Sequence, residues 1–179
     1  MKQKTETALC ESLMELLKRH PFPRITIQMI SSLAGVNRQT FYYHFDNVYD
    51  LLGDAFEYDF MKKSRVEEGA DWDRYMGEFL RWMRANRHII RNLINNVGGS
   101  CLKESIHPII SKCMSGGYPS RSGSRDTGEH PEEVFIQRFI TLGVTQYILE
   151  WAENNFKEPE AVMVGHMDLI LRRMYGGYR

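Results

Sequence analysis

The sequence has 179 residues, of which 42% are hydrophobic and 26% are charged, a composition that is typical of folded globular proteins and argues against a disordered chain. It contains no apolar run long enough to cross a bilayer and no hydrophobic leader, so we expect a cytoplasmic protein without a membrane partner. The formal net charge is zero, but residues 1–45 carry six basic and three acidic side chains. The N-terminal quarter is therefore mildly basic, as a nucleic-acid partner requires.

Four helices are predicted in the first 65 residues from helical apolar spacing and from residues that begin or end helices. The first begins near Lys2 and is ended by two prolines before residue 24. The second begins after Thr26 as N-cap and ends at Gly35. Asn37 is the predicted N-cap of a short third helix, and Asp46 that of a longer fourth helix.

The remainder of the chain shows the same helical periodicity, and no strand pattern occurs. A segment rich in Gly, Ser and Arg at 116–130 predicts a surface loop, and prolines mark the starts of two further helices. We expect an all-α fold, with a three-helix helix-turn-helix domain at 1–48 and a helical regulatory and dimerisation domain at 49–179. The predicted helices of the second domain cover 71–87, 88–97, 100–115, 131–156 and 159–175.

Residues 26–44 have the pattern of a helix-turn-helix, in which the third helix would enter the major groove of DNA. Phe41 and Phe45 are spaced to anchor this helix. Arg and Gln can read guanine and adenine, the Thr methyl can touch a thymine methyl, and Tyr and His can bind phosphates. The alternative, an amphipathic helix whose aromatic residues are all core, is disfavoured because the two phenylalanines suffice for packing. The candidate DNA-binding residues are Thr26, Asn37, Arg38, Gln39, Thr40, Tyr42, Tyr43 and His44.

The segment TIQMISSLAGVNRQTFYYHFDNVYDLL resembles the N-terminal DNA-binding domain of the TetR family of regulators. The resemblance covers roughly residues 5–60, and the run A-G-V-x-R-x-T-F-Y-Y-H-F is its most specific part. It implies an all-helical homodimer that binds a palindromic operator on double-stranded DNA, usually as a repressor released by a small-molecule effector. It also implies DNA contacts at Thr26, Arg38, Gln39, Thr40, Tyr42, Tyr43 and His44.

One position departs from the family pattern. The family usually has a lysine near the start of helix 4, in an F-x-x-K pattern, and Val48 stands there in this sequence. The departure indicates one phosphate contact fewer. The C-terminal half also resembles, more faintly, a subgroup that contains activators of dihydroxyacetone kinase operons, in which one relative acts by binding another protein. The alternative function is therefore a co-regulator that acts through a protein partner, without a small-molecule ligand.

The C-terminal domain offers two further predictions. Helix 131–156 carries two apolar stripes and helix 159–175 repeats the pattern, so we expect a homodimer through these last two helices, although burial within one subunit is the alternative. Aromatic and Met side chains also suit an apolar effector pocket, although such residues are more often core. The candidate ligand-binding residues are Tyr75, Phe79, Trp82, Met83, Met114, Phe139 and Tyr147.

The chain shows no signature of a metal centre, a cofactor site or an enzyme. Cys10, Cys101 and Cys113 are widely spaced and form no CxxC pair, so we expect reduced thiols. No two of the six histidines lie at i, i+4. No GxSxG motif, Walker loop or dinucleotide-binding glycine pattern occurs.

Overall fold

A computed structural model describes residues 2–66, 71–117 and 131–176. Within these ranges the regular structure is helical, which confirms the all-α prediction. No helix in the described ranges is long and apolar enough to cross a membrane. The helices are α1 (Lys2–Leu17), α2 (Ile27–Ala34), α3 (Arg38–His44), α4 (Val48–Lys63), α5 (Trp72–Ala85), α6 (Arg87–Val97), α7 (Gly99–Gly117), α8 (Pro131–Glu153) and α9 (Glu160–Gly176), with a 3-10 turn at Phe22–Arg24 between α1 and α2.

The first three helices form a compact head around the apolar face of α1. Helix α1 packs against α2 and, most extensively, against α4. Leu9 and Leu13 of α1, Ile30 of α2 and Phe41 of α3 are fully buried together with Leu51 of α4. Because α4 shares the core of the head, the start of the predicted second domain packs directly against the head.

Local capping chemistry sets the helix boundaries in the head. Thr26 accepts a hydrogen bond from the amide of Met29 at 3.2 Å and so begins α2, as predicted. Gly35 ends α2 with φ of 69°, in the left-handed region that favours glycine. The prediction was wrong by one residue at α4. Its N-cap is Asn47, whose side chain accepts from two backbone amides, whereas the backbone amide of Asp46 donates to Asp50.

Helices α5 to α9 form the body. Helix α7 packs against α8, α6 and α4, while α5 packs against α9. One stripe of α8 is buried within the subunit, at Ile140, Val144, Ile148 and Trp151. Large apolar side chains on the other face of α8 and on α9 remain exposed. This outer face comprises Val134, Phe135, Phe139, Leu142, Val162, Leu169 and Ile170.

The structure corrects three boundaries in the second domain. Helix α7 continues to Gly117, so the predicted loop at 116–130 loses its first two residues to the helix, and its remaining residues lie outside the described ranges. Helix α8 ends at Glu153 instead of 156, because Asn155 and Phe156 adopt positive φ values of 61° and 57°. Helix α9 begins at Glu160, one residue after Pro159.

The three cysteines are buried and free, as thiols in a packed core. Burial raises the pKa of Cys10 to about 12, that of Cys101 to about 11 and that of Cys113 to about 12. Thiols with such values remain protonated at neutral pH and are poor nucleophiles and metal ligands. Across the described residues no cluster of His, Cys, Asp and Glu could hold a metal ion.

Candidate nucleic-acid interface

Helix α3 is held against the head by its two phenylalanines. The ring of Phe41 is fully buried, Phe45 is 5% exposed, and the two ring centroids lie 5.9 Å apart. Asn37 begins the helix by accepting hydrogen bonds from the amide of Thr40 at 2.7 Å and from its hydroxyl at 3.0 Å. A helix of only seven residues is marginal alone, so this anchoring and this cap fix its position.

The opposite face of α3 is exposed and polar. Arg38 and Gln39 lie in the first turn and are exposed, and Tyr42 and Tyr43 are 50% and 77% exposed. Within the described chain, the side chains of Arg38 and Gln39 form neither an ion pair nor a hydrogen bond. Planar donors and a free cation are therefore presented outward from a fixed helix, which is the chemistry that base edges and phosphates bind.

Two predicted DNA-contacting residues of α3 form side-chain hydrogen bonds within the head. The imidazole of His44 is only 4% exposed, and its Nδ1 lies 3.0 Å from Oε1 of Glu6 on α1. The sequence predicts that His44 contacts DNA, but its ring points into the head. It turns inward because Glu6, distant in sequence, offers a hydrogen-bond partner. Thr40 is half-buried and its hydroxyl donates to Asn37, which leaves its methyl group as the part available for contact.

The start of α2 adds a second exposed polar region. Thr26 is exposed and its hydroxyl oxygen caps the helix, so its backbone lies at the positive end of the helix dipole. Arg24, two residues earlier, is also exposed. Arg24 is one of the six basic residues of 1–45 but is not among the predicted DNA-binding residues. Its place immediately before a helix start was the signal that could have identified it.

Val48 occupies the position where the family usually has lysine. Its side chain is half-buried and packs against the core. This chain therefore uses the position to join α4 to the head by apolar packing. An apolar Val48 side chain cannot donate a hydrogen bond to a phosphate.

The seven candidate ligand-binding residues do not line a single pocket. Phe79, Trp82, Met83 and Met114 are buried in the core, and the rings of Tyr75, Phe79 and Trp82 all contact Phe60 at centroid distances of 5.3 to 6.1 Å. Phe139 instead lies on the outer face of α8, 62% exposed. Tyr147 forms a hydrogen bond of 2.6 Å with His166 of α9.

Burial affects the hydroxyl of one of these side chains, and a surface cavity adjoins another. Burial raises the pKa of Tyr75 to about 12, so its hydroxyl stays protonated. Trp82 lines one wall of a surface cavity of about 360 Å³, whose other walls are mostly polar or charged. The remaining lining residues are Lys63, Ser64, Glu78, Arg81, Ala85 and Asn86.

Among solved structures, the dihydroxyacetone kinase operon activator DhaS has a similar fold. Its TM-score is 0.65 at 16% sequence identity, with 98% of each chain covered. A TetR transcriptional regulator from Streptococcus agalactiae has a TM-score of 0.49 at 20% identity, covering 97% of this chain and 94% of that one. The regulator FadR from Bacillus subtilis, in complex with stearoyl-CoA, has a TM-score of 0.47 at 14% identity, covering 96% and 98%.

Two family matches cover most of the sequence, although no curated protein matches it. Residues 9–55 match the family described as bacterial regulatory proteins, tetR family, and residues 70–173 match that described as transcriptional regulator C-terminal region. The first match contains the whole exposed face of α3, and the second covers more than half of the chain. These matches confirm the resemblance found in the sequence, and the chain belongs to the TetR family of DNA-binding transcriptional regulators.

Proposed function

We propose that this protein is a homodimeric, sequence-specific repressor that binds a palindromic operator through α3 and responds to a small-molecule effector. The observation that carries the DNA-reading role is the outer face of α3. Arg38, Gln39, Tyr42 and Tyr43 are exposed there, while buried Phe41 on the opposite side fixes the helix. Repression is the usual activity in the family that the sequence resembles.

The reading step follows from the chemistry of the major groove. Arg38 would contact a guanine through two hydrogen bonds and Gln39 an adenine, each worth about 1–3 kcal/mol of discrimination against a wrong base. Tyr42 and Tyr43 would donate hydroxyl hydrogen bonds to phosphates, and the backbone amides at the start of α2 would donate N–H hydrogen bonds. Their part is to fix the register of the head on the duplex.

A dimer is supported by the outer face of α8 and α9. Phe135 and Phe139 are 67% and 62% exposed, their rings stack 6.2 Å apart, and Leu169 and Ile170 are also more than half exposed. Exposed aromatic and aliphatic side chains on these two helices indicate a covered surface in the working protein. A second copy would cover it as a four-helix bundle about a two-fold axis. Two heads would then lie roughly 34–36 Å apart, in successive major grooves.

The proposed effector would act on the core of the body. Trp82 and Met83 are packed in this core. A ligand that takes the place of such side chains would require them to move, which the flexible Met side chains allow. Binding would change the orientation of the heads. A coupling free energy of about 1–3 kcal/mol is typical and lowers operator affinity by roughly 5- to 150-fold.

Selection from randomised duplex DNA, followed by sequencing, tests the reading role. We expect the parent protein to enrich a palindrome, and a variant with Arg38→Ala, Gln39→Ala and Tyr43→Ala to enrich none. The matched control carries Arg74→Ala and Arg87→Ala, which remove cations from exposed positions on the body and should leave enrichment unchanged. Failure of the parent to enrich any sequence at low salt would refute direct reading.

The co-regulator alternative is favoured by one observation, the apolar residue Val48 at the position of a phosphate contact. The salt dependence of binding separates the two functions. A DNA reader loses affinity steeply as salt rises, because phosphate contacts release counterions. A protein contact dominated by apolar surface changes little over the same range. A flat salt dependence, with no operator enriched, would favour the co-regulator.

A further inference from the structure

The side chain of Asn92 on α6 ties the body directly to the head. Its Nδ2 donates to the carbonyl oxygen of His20 at 2.7 Å and to that of Leu17 at 3.2 Å. Its Oδ1 accepts from the backbone amide of Phe22 at 3.0 Å. One half-buried amide therefore satisfies three backbone groups at the junction between α1 and the 3-10 turn.

Proline chemistry explains why these backbone groups need a partner. The carbonyl of Leu17 would normally accept from the amide of residue 21, but Pro21 has no N–H. The amide of Arg24 bonds to Pro21 and not to His20, so the carbonyl of His20 also lacks its usual helical partner. Asn92 supplies both missing donors. The amide orientation is determined as well, because carbonyls only accept and the amide of Phe22 only donates.

Phe22, held by Asn92, lies where the head meets α4 and α6. Its side chain is 2% exposed, and its ring contacts Tyr49 in the first turn of α4, with centroids 5.0 Å apart and planes at 73°. The 3-10 turn that begins at Phe22 leads within four residues to Thr26, the N-cap of α2. A shift of Phe22 would therefore move the start of α2, and with it the packed α2–α3 pair.

The other side of α6 is tied to the turn between α8 and α9. Arg91, next to Asn92, donates to the side chain of Asn155, a residue with φ of 61° in that turn. Ile89, Ile90 and Leu93 are fully buried and hold α6 in the body. Two adjacent side chains of α6 thus connect the helices of the proposed dimer surface to the junction below the head.

We propose that Asn92 is a positioning residue for operator reading, which fixes the orientation of each head relative to α8 and α9. Through that orientation it sets the separation of the two recognition helices in the dimer. The proposal rests on the proposed operator-binding function. It assigns Asn92 no contact with DNA, since the residue acts through Phe22 and the carbonyls at the end of α1.

The first experiment measures affinity for a single half-site and for palindromes of varied half-site spacing. Asn92→Ala removes these three hydrogen bonds together with the one that Oδ1 accepts from Nδ2 of Asn96, and Asn92→Asp keeps the acceptor oxygen but removes both donors. Asn95→Ala is the matched control, because Asn95 is exposed on the same helix and shows no side-chain hydrogen bond within the described chain. We expect both Asn92 variants to bind the half-site like the parent, to lose about 5-fold or more on the preferred palindrome, and to tolerate other spacings better.

A second readout does not depend on DNA. Spin labels at Gln39→Cys in α3 and Arg74→Cys in α5 report the head-to-body distance, with labelled chains diluted in unlabelled protein so that only distances within one chain are measured. The native cysteines are buried. We expect a broader or shifted distance distribution for Asn92→Asp, which is nearly isosteric with the parent, and an unchanged one for Asn95→Ala.

The outcomes separate the two proposals. If the parent binds no DNA, the operator-reading function fails and the distance distributions alone decide the orientation proposal. If the parent reads a palindrome but the Asn92 variants keep its spacing preference and its distance distribution, the role of Asn92 is refuted while the function stands. Loss of half-site binding in both Asn92 variants would also refute it, because the head itself would then depend on Asn92.

Discussion

Asn37 is the N-cap of α3, the last helix of the helix-turn-helix, and Asn47 is the N-cap of α4, which follows it. The side chain of Asn47 accepts from the amides of Tyr49 and Asp50 at 2.9 and 3.0 Å, and that of Asn37 accepts twice from Thr40. Each cap satisfies backbone donors that a helix start leaves unpaired. Because α3 has only seven residues, its cap is a larger share of its stability than the cap of the longer α4.

Replacing Asn37 with Ala should therefore destabilise the head. The lost cap costs about 1 kcal/mol of unfolding free energy, within a range of roughly 0.5–2 kcal/mol, which urea denaturation would measure. Asn37→Ser keeps a capping oxygen and should restore most of the loss. If Asn37→Ala and Asn37→Ser were equally unstable, the side-chain cap would not be what holds the start of α3.

Helix α4 is tied to three neighbours by side chains of different burial. At the surface, Glu11 of α1 accepts hydrogen bonds from Lys62 and Tyr58, which lower the pKa of the Glu11 carboxyl. Glu57 pairs with Lys112 of α7 at 2.6 Å, also at the surface. Asp59 is 8% exposed and accepts from Nε1 of Trp82 at 2.8 Å. Surface ion pairs contribute about 0–1 kcal/mol, so the buried contact with α5 is the stronger tie.

Trp82→Phe should accordingly destabilise the protein more than Lys112→Met. The first change leaves the buried carboxylate of Asp59 with Lys63 as its remaining hydrogen-bond donor among the described residues, and should cost about 1–3 kcal/mol. The second removes an exposed ion pair and should cost less than about 1 kcal/mol. Chemical denaturation of both variants tests this order, and equal losses would contradict it.

Features that depend on neighbouring residues in the chain could be predicted from the sequence. The caps at Thr26 and Asn37, the glycine end of α2 and the anchoring by Phe41 follow from local chemistry and helical spacing. The missed cap at α4 shows the limit of this reasoning. Asp46 and Asn47 are both good N-caps, and only the observed hydrogen bonds distinguish them.

Features that depend on distant residues could not be predicted. His44 bonds to Glu6, which lies 38 residues away, and Asn92 bonds to groups 70 to 75 residues away. The candidate effector residues illustrate the same limit. Periodicity identified two apolar stripes on α8, but only the packed body determines that Ile140 faces inward and Phe139 outward.

The outer face of α8 and α9 gives the final prediction for the molecule as a whole. A stable interface covers about 1,200–2,000 Å² in total, and burying one phenylalanine contributes roughly 1.5–3 kcal/mol. Phe135→Glu with Phe139→Glu would place four carboxylates in the interface of a dimer. Burying unpaired charges costs several kcal/mol each, so we expect this variant to sediment as a monomer where the parent sediments as a dimer.

Because each head keeps its own core, the monomeric variant should bind a single half-site like the parent and lose the gain from the second half-site. Met61→Glu is the control, since Met61 is 43% exposed on α4, outside the proposed interface, and this variant should remain dimeric. If the double variant still sedimented as a dimer, a different surface would join the subunits. The head orientation that Asn92 fixes would then have to be defined relative to that other surface, because α8 and α9 would no longer join the two subunits.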